Sequence, residues 1–239
     1  YIKDWSPQQN HSLTISGGNG KTNYNVALSY LNQEGMMKVN SDEYTRYNGN
    51  FSINSELNKY ISVRAGAMLT RSDYDKPFNY NSDLYDQMYY LYRWQPMMPY
   101  GTFEGKPFRN AITEQSTAPT MKKQREYVRF NGGLTLRPFE GFTFDADFTY
   151  STVENRFKKH GTPSLTAGYN VFSAITSVDA LRTNYTNYIS AKSYDYAYQE
   201  NGRTENLTAN FVATYAKKLG DHDFKVMAGS NIEKSEYQY

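Results

Sequence analysis

Apolar side chains recur at every second position in eight separate runs of this chain. Leu13 and Ile15 open the series, followed by Tyr24, Val26, Leu28 and Tyr30, then Tyr47, Phe51 and Ile53. Ile61, Val63, Ala65, Ala67 and Leu69 form the next run, and after a long gap come Val128, Phe130, Leu134 and Leu136. The remaining runs are Phe142, Phe144, Ala146, Phe148 and Tyr150; Leu207, Ala209, Phe211, Ala213 and Tyr215; and Phe224, Val226, Ala228 and Ile232. Polar or small residues stand between them, for example Asn25, Ala27 and Ser29, or Thr143, Asp145, Asp147 and Thr149. Strand side chains point alternately to opposite faces, so each run reads as a strand with one apolar and one polar face. The expectation is eight strands of about nine to eleven residues, a length that suits a tilted crossing of a hydrocarbon layer.

The links between the runs alternate in length. Short, turn-rich links lie at 17–21, 58–59, 137–141 and 217–222, and long ones at roughly 32–45, 72–126 and 155–204. Short turns at one end and long loops at the other are the rhythm of an outer-membrane β-barrel. Such a barrel turns its apolar face to lipid and its polar face to a wet lumen, and so needs no apolar interior. That accounts for a chain of 239 residues that is only 38% apolar yet carries 24 Tyr and 13 Phe. Tyr24, Tyr30, Tyr44, Tyr47, Tyr60, Tyr74, Phe139, Tyr150 and Tyr215 fall near strand ends, where a membrane girdle would place them. A soluble β-sandwich also alternates, but loops this long are awkward in a compact sandwich. No apolar run exceeds the five residues from Met88 to Tyr92, which excludes a transmembrane helix.

Taking the short turns as periplasmic, both the first and the last strand have their free ends on the extracellular side. A complete bacterial barrel would normally keep both termini in the periplasm, so a segment of a larger barrel is expected.

The residues around the first hairpin carry a resemblance. Asn10-His11-Ser12-Leu13-Thr14-Ile15-Ser16-Gly17-Gly18, Lys21-Thr22-Asn23-Tyr24 and Leu28-Ser29-Tyr30-Leu31-Asn32-Gln33-Glu34-Gly35 closely resemble the middle barrel strands of SusC/RagA-type TonB-dependent transporters. Tyr44-Thr45-Arg46-Tyr47-Asn48 looks like that family's next strand. Ser82 to Tyr100 looks like its loop, a short helical piece running into Trp94-Gln95-Pro96-Met97-Met98-Pro99-Tyr100. The resemblance is most specific over about 10–100. It implies an all-β fold: an antiparallel transmembrane β-barrel segment, about eight strands of a 22-stranded plugged barrel, with long extracellular loops. Residues 1–239 would then be a partial TonB-dependent receptor β-barrel domain, lacking the plug domain and the C-terminal strands. The implied function is active import of nutrients (glycans or peptides) across the outer membrane of Bacteroidota. A SusD-like surface lipoprotein would be the lid, and TonB would act through the missing N-terminal part. Other readings of the same strands are a passive porin, an adhesion barrel or a soluble sugar-binding β-domain.

Chemistry other than binding finds little support. The charge balance, 26 Lys and Arg against 24 Asp and Glu, gives no basic surface for nucleic acid. With no cysteine there is neither a disulfide framework nor a thiolate site. His11, His160 and His222 have no metal-ligand spacing, no cofactor motif is present, and no Gly-x-Ser-x-Gly elbow occurs. Gly20-Lys21-Thr22 ends like a phosphate loop, but position 15 is Ile and a strand follows, so a hairpin turn is the better reading. Asp145 and Asp147 share a strand face at about 7 Å and read as solvated lumenal carboxylates rather than a glycosidase pair. The informative stretch is the Tyr-rich loop, where Tyr89, Tyr92, Trp94 and Tyr100 are the candidate contacts to ligand or lid. Val171 to Leu181 reads as a second short loop helix, with Tyr169, Phe172, Tyr185, Tyr188, Tyr194, Tyr196 and Tyr198 around it. Aromatic residues on rigidly mounted loops offer contact area and hydroxyls at low entropic cost.

Overall fold

The computed structural model describes residues 2–77, 101–103, 105–108, 111–116, 118–161, 165–169, 185–189 and 196–239. Eight of its strands form a single antiparallel sheet. In chain order these are β1 (Gln8–Gly18), β2 (Thr22–Glu34), β3 (Glu43–Asn58), β4 (Ile61–Pro77), β7 (Thr120–Leu136), β8 (Phe142–Gly161), β11 (Tyr196–Leu219) and β12 (His222–Gln238). They lie side by side in sequence order, β1-β2-β3-β4-β7-β8-β11-β12. The intervening pieces β5 (Thr102–Phe103), β6 (Lys106–Pro107), the helix α1 (Ala111–Ser116), β9 (Leu165–Tyr169) and β10 (Tyr185–Ile189) belong to the long connections.

The register puts every residue of the apolar series on one face. Leu13 pairs with Leu28, Val26 with Phe51, Ala67 with Phe130, Phe130 with Tyr150, Ala146 with Phe211 and Ala209 with Ile232. This face is open to the surroundings: Leu13 is 55% exposed, Ile15 52%, Phe130 53% and Phe148 50%. Among the described residues no second sheet covers it. A soluble sandwich buries such a surface, because a contiguous apolar patch of this size in water drives association. The opposite face is concave, since one cavity is lined jointly by Gln33 of β2 and Glu200 of β11, the two ends of a run of six adjacent strands. Apolar convex outside and polar concave inside is the wall of a transmembrane β-barrel.

The turns form where the side chains demand them. Asn19 Oδ1 accepts from the backbone N–H of Lys21 (2.9 Å) and of Thr22 (2.8 Å), closing β1 onto β2 around Gly20. Gly20-Lys21-Thr22 is therefore hairpin, as its sequence indicates. Asn58 Oδ1 does the same for Tyr60 (2.8 Å) and Ile61 (3.1 Å), with a register shift between Glu56 and Asn58. Asn caps such turns because its short amide mimics a backbone carbonyl. Gly141 and Gly220 take φ of +84° and +63° in the other two turns, where a side chain would be strained. Beside these turns, outward-facing Phe139 stacks on Phe142 (5.1 Å between ring centroids) and meets Tyr215 (6.5 Å). At the other margin, Tyr30 sits between His11 (6.2 Å) and Tyr47 (5.2 Å). From Phe142 to Tyr150 is eight residues, about 27 Å along the strand and about 20 Å of height at a 40° tilt. Two aromatic bands at about that separation bracket a hydrocarbon layer.

Two expectations need correction. The strands run 11 to 24 residues, longer than the alternation suggested, and the loops are shorter to match. Beyond the upper aromatic band the outward positions become charged, so apolar periodicity stops while backbone pairing continues. There Arg71 meets Asp73 (2.9 Å) and Glu126 (3.6 Å), Lys122 meets Asp75 (2.9 Å), and Arg156 meets Glu154 (2.8 Å). For the same reason Tyr44 and Tyr74 are not girdle residues. The strands carry them past the lipid level, and alternation places them on the inner face.

Candidate functional site

The inner face can be read as rows that cross the sheet, because directly paired residues share a side. Low in the lumen, Arg64 on β4, Gly133 on β7 and Asp147 on β8 form one such row. Gly133 has no side chain, so Arg64 reaches over β7 and bonds Asp147 at 2.8 Å, two strands away. The guanidinium also donates to Thr135 Oγ1 (2.8 Å), lies 3.8 Å from Asp145, and Thr135 donates to Asp145 at 2.5 Å. Asp145 and Asp147 face the lumen, as their strand parity requires, partly exposed to solvent and also partnered by Arg64.

The upper lumen is different. A concavity of about 830 Å³ opens there, with Gln33, Tyr44, Tyr74, Lys123, Phe157 and Glu200 in its lining. Those six are successive members of one cross-strand row. The next row down contains Arg46, Ser72, Arg125, Asn155 and Gly202, and Arg129 lies four residues below Arg125 on β7. From the level of Arg129 upward, the inward positions of the described strands carry six cations (Arg46, Lys76, Lys123, Arg125, Arg129 and Lys159) and one carboxylate, Glu200. The lower lumen is poorer in cations, its Arg64 being already paired with carboxylates. The wall therefore carries a charge gradient, basic above.

The aromatic rings of this concavity are engaged. Lys159 Nζ lies 4.7 Å and Lys123 Nζ 5.4 Å from the Phe157 ring centre, and Tyr198 packs edge-on to Phe157 at 5.9 Å. Tyr44 and Tyr74 meet edge-to-face at 6.4 Å, and the Tyr74 hydroxyl donates to Asp42 (3.1 Å). The Tyr198 hydroxyl donates to Glu200 (2.8 Å), and that hydrogen bond, with the nearby negative charge, raises the phenol's pKa above its ordinary value.

Above the rim, the β2–β3 loop clamps the long connection that follows β4. Asn40, at φ +44°, donates to the carbonyls of Gln115 (3.0 Å) and Ala118 (3.1 Å), and Gln115 Nε2 donates back to the Asn40 carbonyl (2.8 Å). Met37, Met121 and Gln115 are fully buried around this contact.

The candidate residues Tyr89, Tyr92, Trp94 and Tyr100 lie outside the described residues, as do both loop helices read from the sequence. The helix that is described, α1, lies between them and had no marked signal. The lumenal arginines were also missed, although a signal existed: Arg46 and Arg125 have the strand parity of Asn48 and Asn131, residues of the polar face. Among the described residues no group of three or more His, Asp or Glu is placed to hold a metal ion.

No protein-family model matches the chain, and no curated protein sequence does. Among solved structures it is similar to the RagAB peptide importer in its "closed-closed" state, at TM-score 0.61 and 15% identity over 100% of this chain. The "open-open" state of the same importer gives the same TM-score, identity and coverage. A further structure, of the RagAB peptide transporter, matches over 97% of the chain, again at TM-score 0.61 and 15% identity. The chain spans 26% of the length of each of those chains. At this identity the likeness concerns the fold: this sheet has the fold of a stretch of the RagAB importer chains.

Proposed function

We propose that the chain is part of the barrel wall of an outer-membrane, TonB-dependent active transporter that imports nutrients. The observation that carries this reading is the division of one continuous sheet into an apolar convex face bracketed by aromatic bands and a polar concave face. Lipid and a wet lumen are the surroundings that satisfy both at once. In this account residues 1–239 supply roughly a third of a 22-stranded barrel and its outer loops. The plug, TonB contact and remaining strands lie elsewhere in the protein. Import requires two states that hold substrate differently, and this wall has the passive share: shaping the chamber, contacting ligand and seating a SusD-like lipoprotein on the loops. A peptide or an oligosaccharide fits such a chamber, and Tyr89, Tyr92, Trp94 and Tyr100 are the proposed loop contacts. The test is to purify the intact native protein from outer membranes in detergent and identify the complex by mass spectrometry. A polypeptide roughly four times the length of this chain, by comparison with the RagAB chains, copurifying with a lipoprotein, is the expected result. A detergent-independent soluble protein refutes it.

A further inference from the structure

Three guanidinium groups on the upper inner wall have no partner among the described residues: Arg46, Arg125 and Arg129. Exposed arginines on a protein surface need none, but these stand on the concave face of the sheet, where curvature focuses the field of the cations. Arg125 lines the upper concavity itself, whose carboxylates Glu34, Asp42 and Glu200 are already bonded to Lys3, Tyr74 and Tyr198. We propose that this band is a recognition site for carboxylates, and that the transported ligand is an acidic peptide. The proposal rests on the importer reading above and narrows its substrate.

Geometry and chemistry favour a peptide over an acidic glycan. Arg46 and Arg125 stand in one row with Ser72 between them, two strand spacings or about 10 Å apart; Arg129 is about 13 Å from Arg125 along β7. An extended peptide advances about 3.3 Å per residue, so acidic side chains three or four residues apart match either spacing. Arginine's planar fork binds a carboxylate through two parallel hydrogen bonds. Asn155 and Gln33 in the same two rows can bond the peptide backbone. Sugar recognition would instead use free aromatic faces. Here the Phe157 ring is covered by the ammonium groups of Lys123 and Lys159, and Tyr44 and Tyr74 are packed against each other.

The experiment is calorimetric titration of the intact detergent-purified protein, with the partners that copurify, using three probes. These are a nine-residue Gly/Ala peptide with Glu at every third position, the same peptide with Gln, and an oligogalacturonate. The Glu peptide is expected to bind about tenfold tighter than the Gln peptide, as two charge-assisted contacts allow. The difference between the Glu and Gln peptides should disappear in Arg46→Gln/Arg125→Gln and largely persist in Arg46→Lys/Arg125→Lys. A heat-modifiable gel shift confirms that each variant forms its barrel. Equal affinities for the Glu and Gln peptides overturn the acidic preference and leave the importer reading intact. Binding of oligogalacturonate without the Glu peptide overturns the peptide class, and a preference that survives the double Gln substitution overturns the assignment to these arginines. A barrel that binds none of the three overturns the proposal. Absence of a heat-modifiable barrel in the native protein overturns the importer reading itself.

Discussion

Gly133→Ala tests whether a missing side chain is what holds the lower lumen together. A Cβ at this position would stand 2.5 Å from Asp147 Oδ1 and 2.7 Å from Arg64 Nε, so the guanidinium could no longer cross β7 to its partner. The interactions at risk are the Arg64–Asp147 pair at 2.8 Å, the Arg64–Thr135 bond at 2.8 Å and the longer approach to Asp145. The side chains of Arg64 and Asp147 are 38% and 47% exposed, so solvent screens them and each contact falls in the range of about 0.2–1 kcal/mol. Together they amount to about 1–2 kcal/mol. Against this, Gly→Ala in a strand gains about 0.4–1 kcal/mol by restricting the unfolded chain. The net loss is then about 0.5–1 kcal/mol, or about two- to fivefold in rate. Large membrane barrels unfold irreversibly, so the suitable readout is the rate of heat-induced unfolding of the whole protein in detergent, followed by gel shift. In an Arg64→Ala background the clash has no network left to break, and Gly133→Ala should become neutral or slow unfolding. An equal acceleration in both backgrounds would falsify the bridging role of Gly133.

Other perturbations probe the remaining levels of the wall. Phe148→Arg places a cation near the middle of the lipid-facing band and should destabilise the barrel by about 2–4 kcal/mol, whereas Lys122→Leu, above the band, should leave the unfolding rate within about twofold, the change expected of a surface site. Asn40→Ala removes two donors to the segment after α1 and an unusual left-handed residue; hydrogen exchange at 113–120 should accelerate by about tenfold, the equivalent of one or two lost hydrogen bonds. Asn40→Gly keeps the backbone but not the bonds, and should accelerate exchange too. Tyr198 stays protonated to higher pH than an ordinary phenol because its proton is held by Glu200. The stabilising bond is therefore complete below the unfolded phenol's pKa and lost as pH rises through the raised one. NMR of ring-labelled tyrosine should show its midpoint fall in Glu200→Gln, and an unchanged midpoint would remove Glu200 as the cause.

Legibility in the sequence followed the contrast between the two faces. Where one face meets lipid, as from Phe142 to Tyr150, alternation revealed strand, face and register parity together. Past Tyr150 the outward positions Thr152, Glu154 and Arg156 are polar while the inward ones include Val153 and Phe157, so the contrast that marked the strand is lost and the strand ends were placed too early. Turns held by Asn19 and Asn58 were legible because the local chemistry of Asn suffices to make them. The Arg64–Asp147 bridge was not, because it depends on which strand lies two places away and on Gly133 standing between. Arg46 and Arg125 likewise come from β3 and β7, far apart in the chain, and meet in one row only through β4. The clamp between Asn40 and Gln115 joins two loops with no periodicity at all.

The two-faced wall is tested most directly by the accessibility of single positions along β8. The chain has no cysteine, so one Cys at a time can be introduced from Phe142 to Tyr150 and spin-labelled in the whole protein, with any cysteine elsewhere replaced, reconstituted in lipid. Collision rates with oxygen, which concentrates in lipid, and with a water-soluble nickel chelate should alternate with period two. Labels at Phe144, Ala146 and Phe148 should meet oxygen, and labels at Asp145, Asp147 and Thr149 the chelate. Uniform accessibility along the strand, or the opposite phase, would contradict a barrel wall that faces lipid on one side and a lumen on the other.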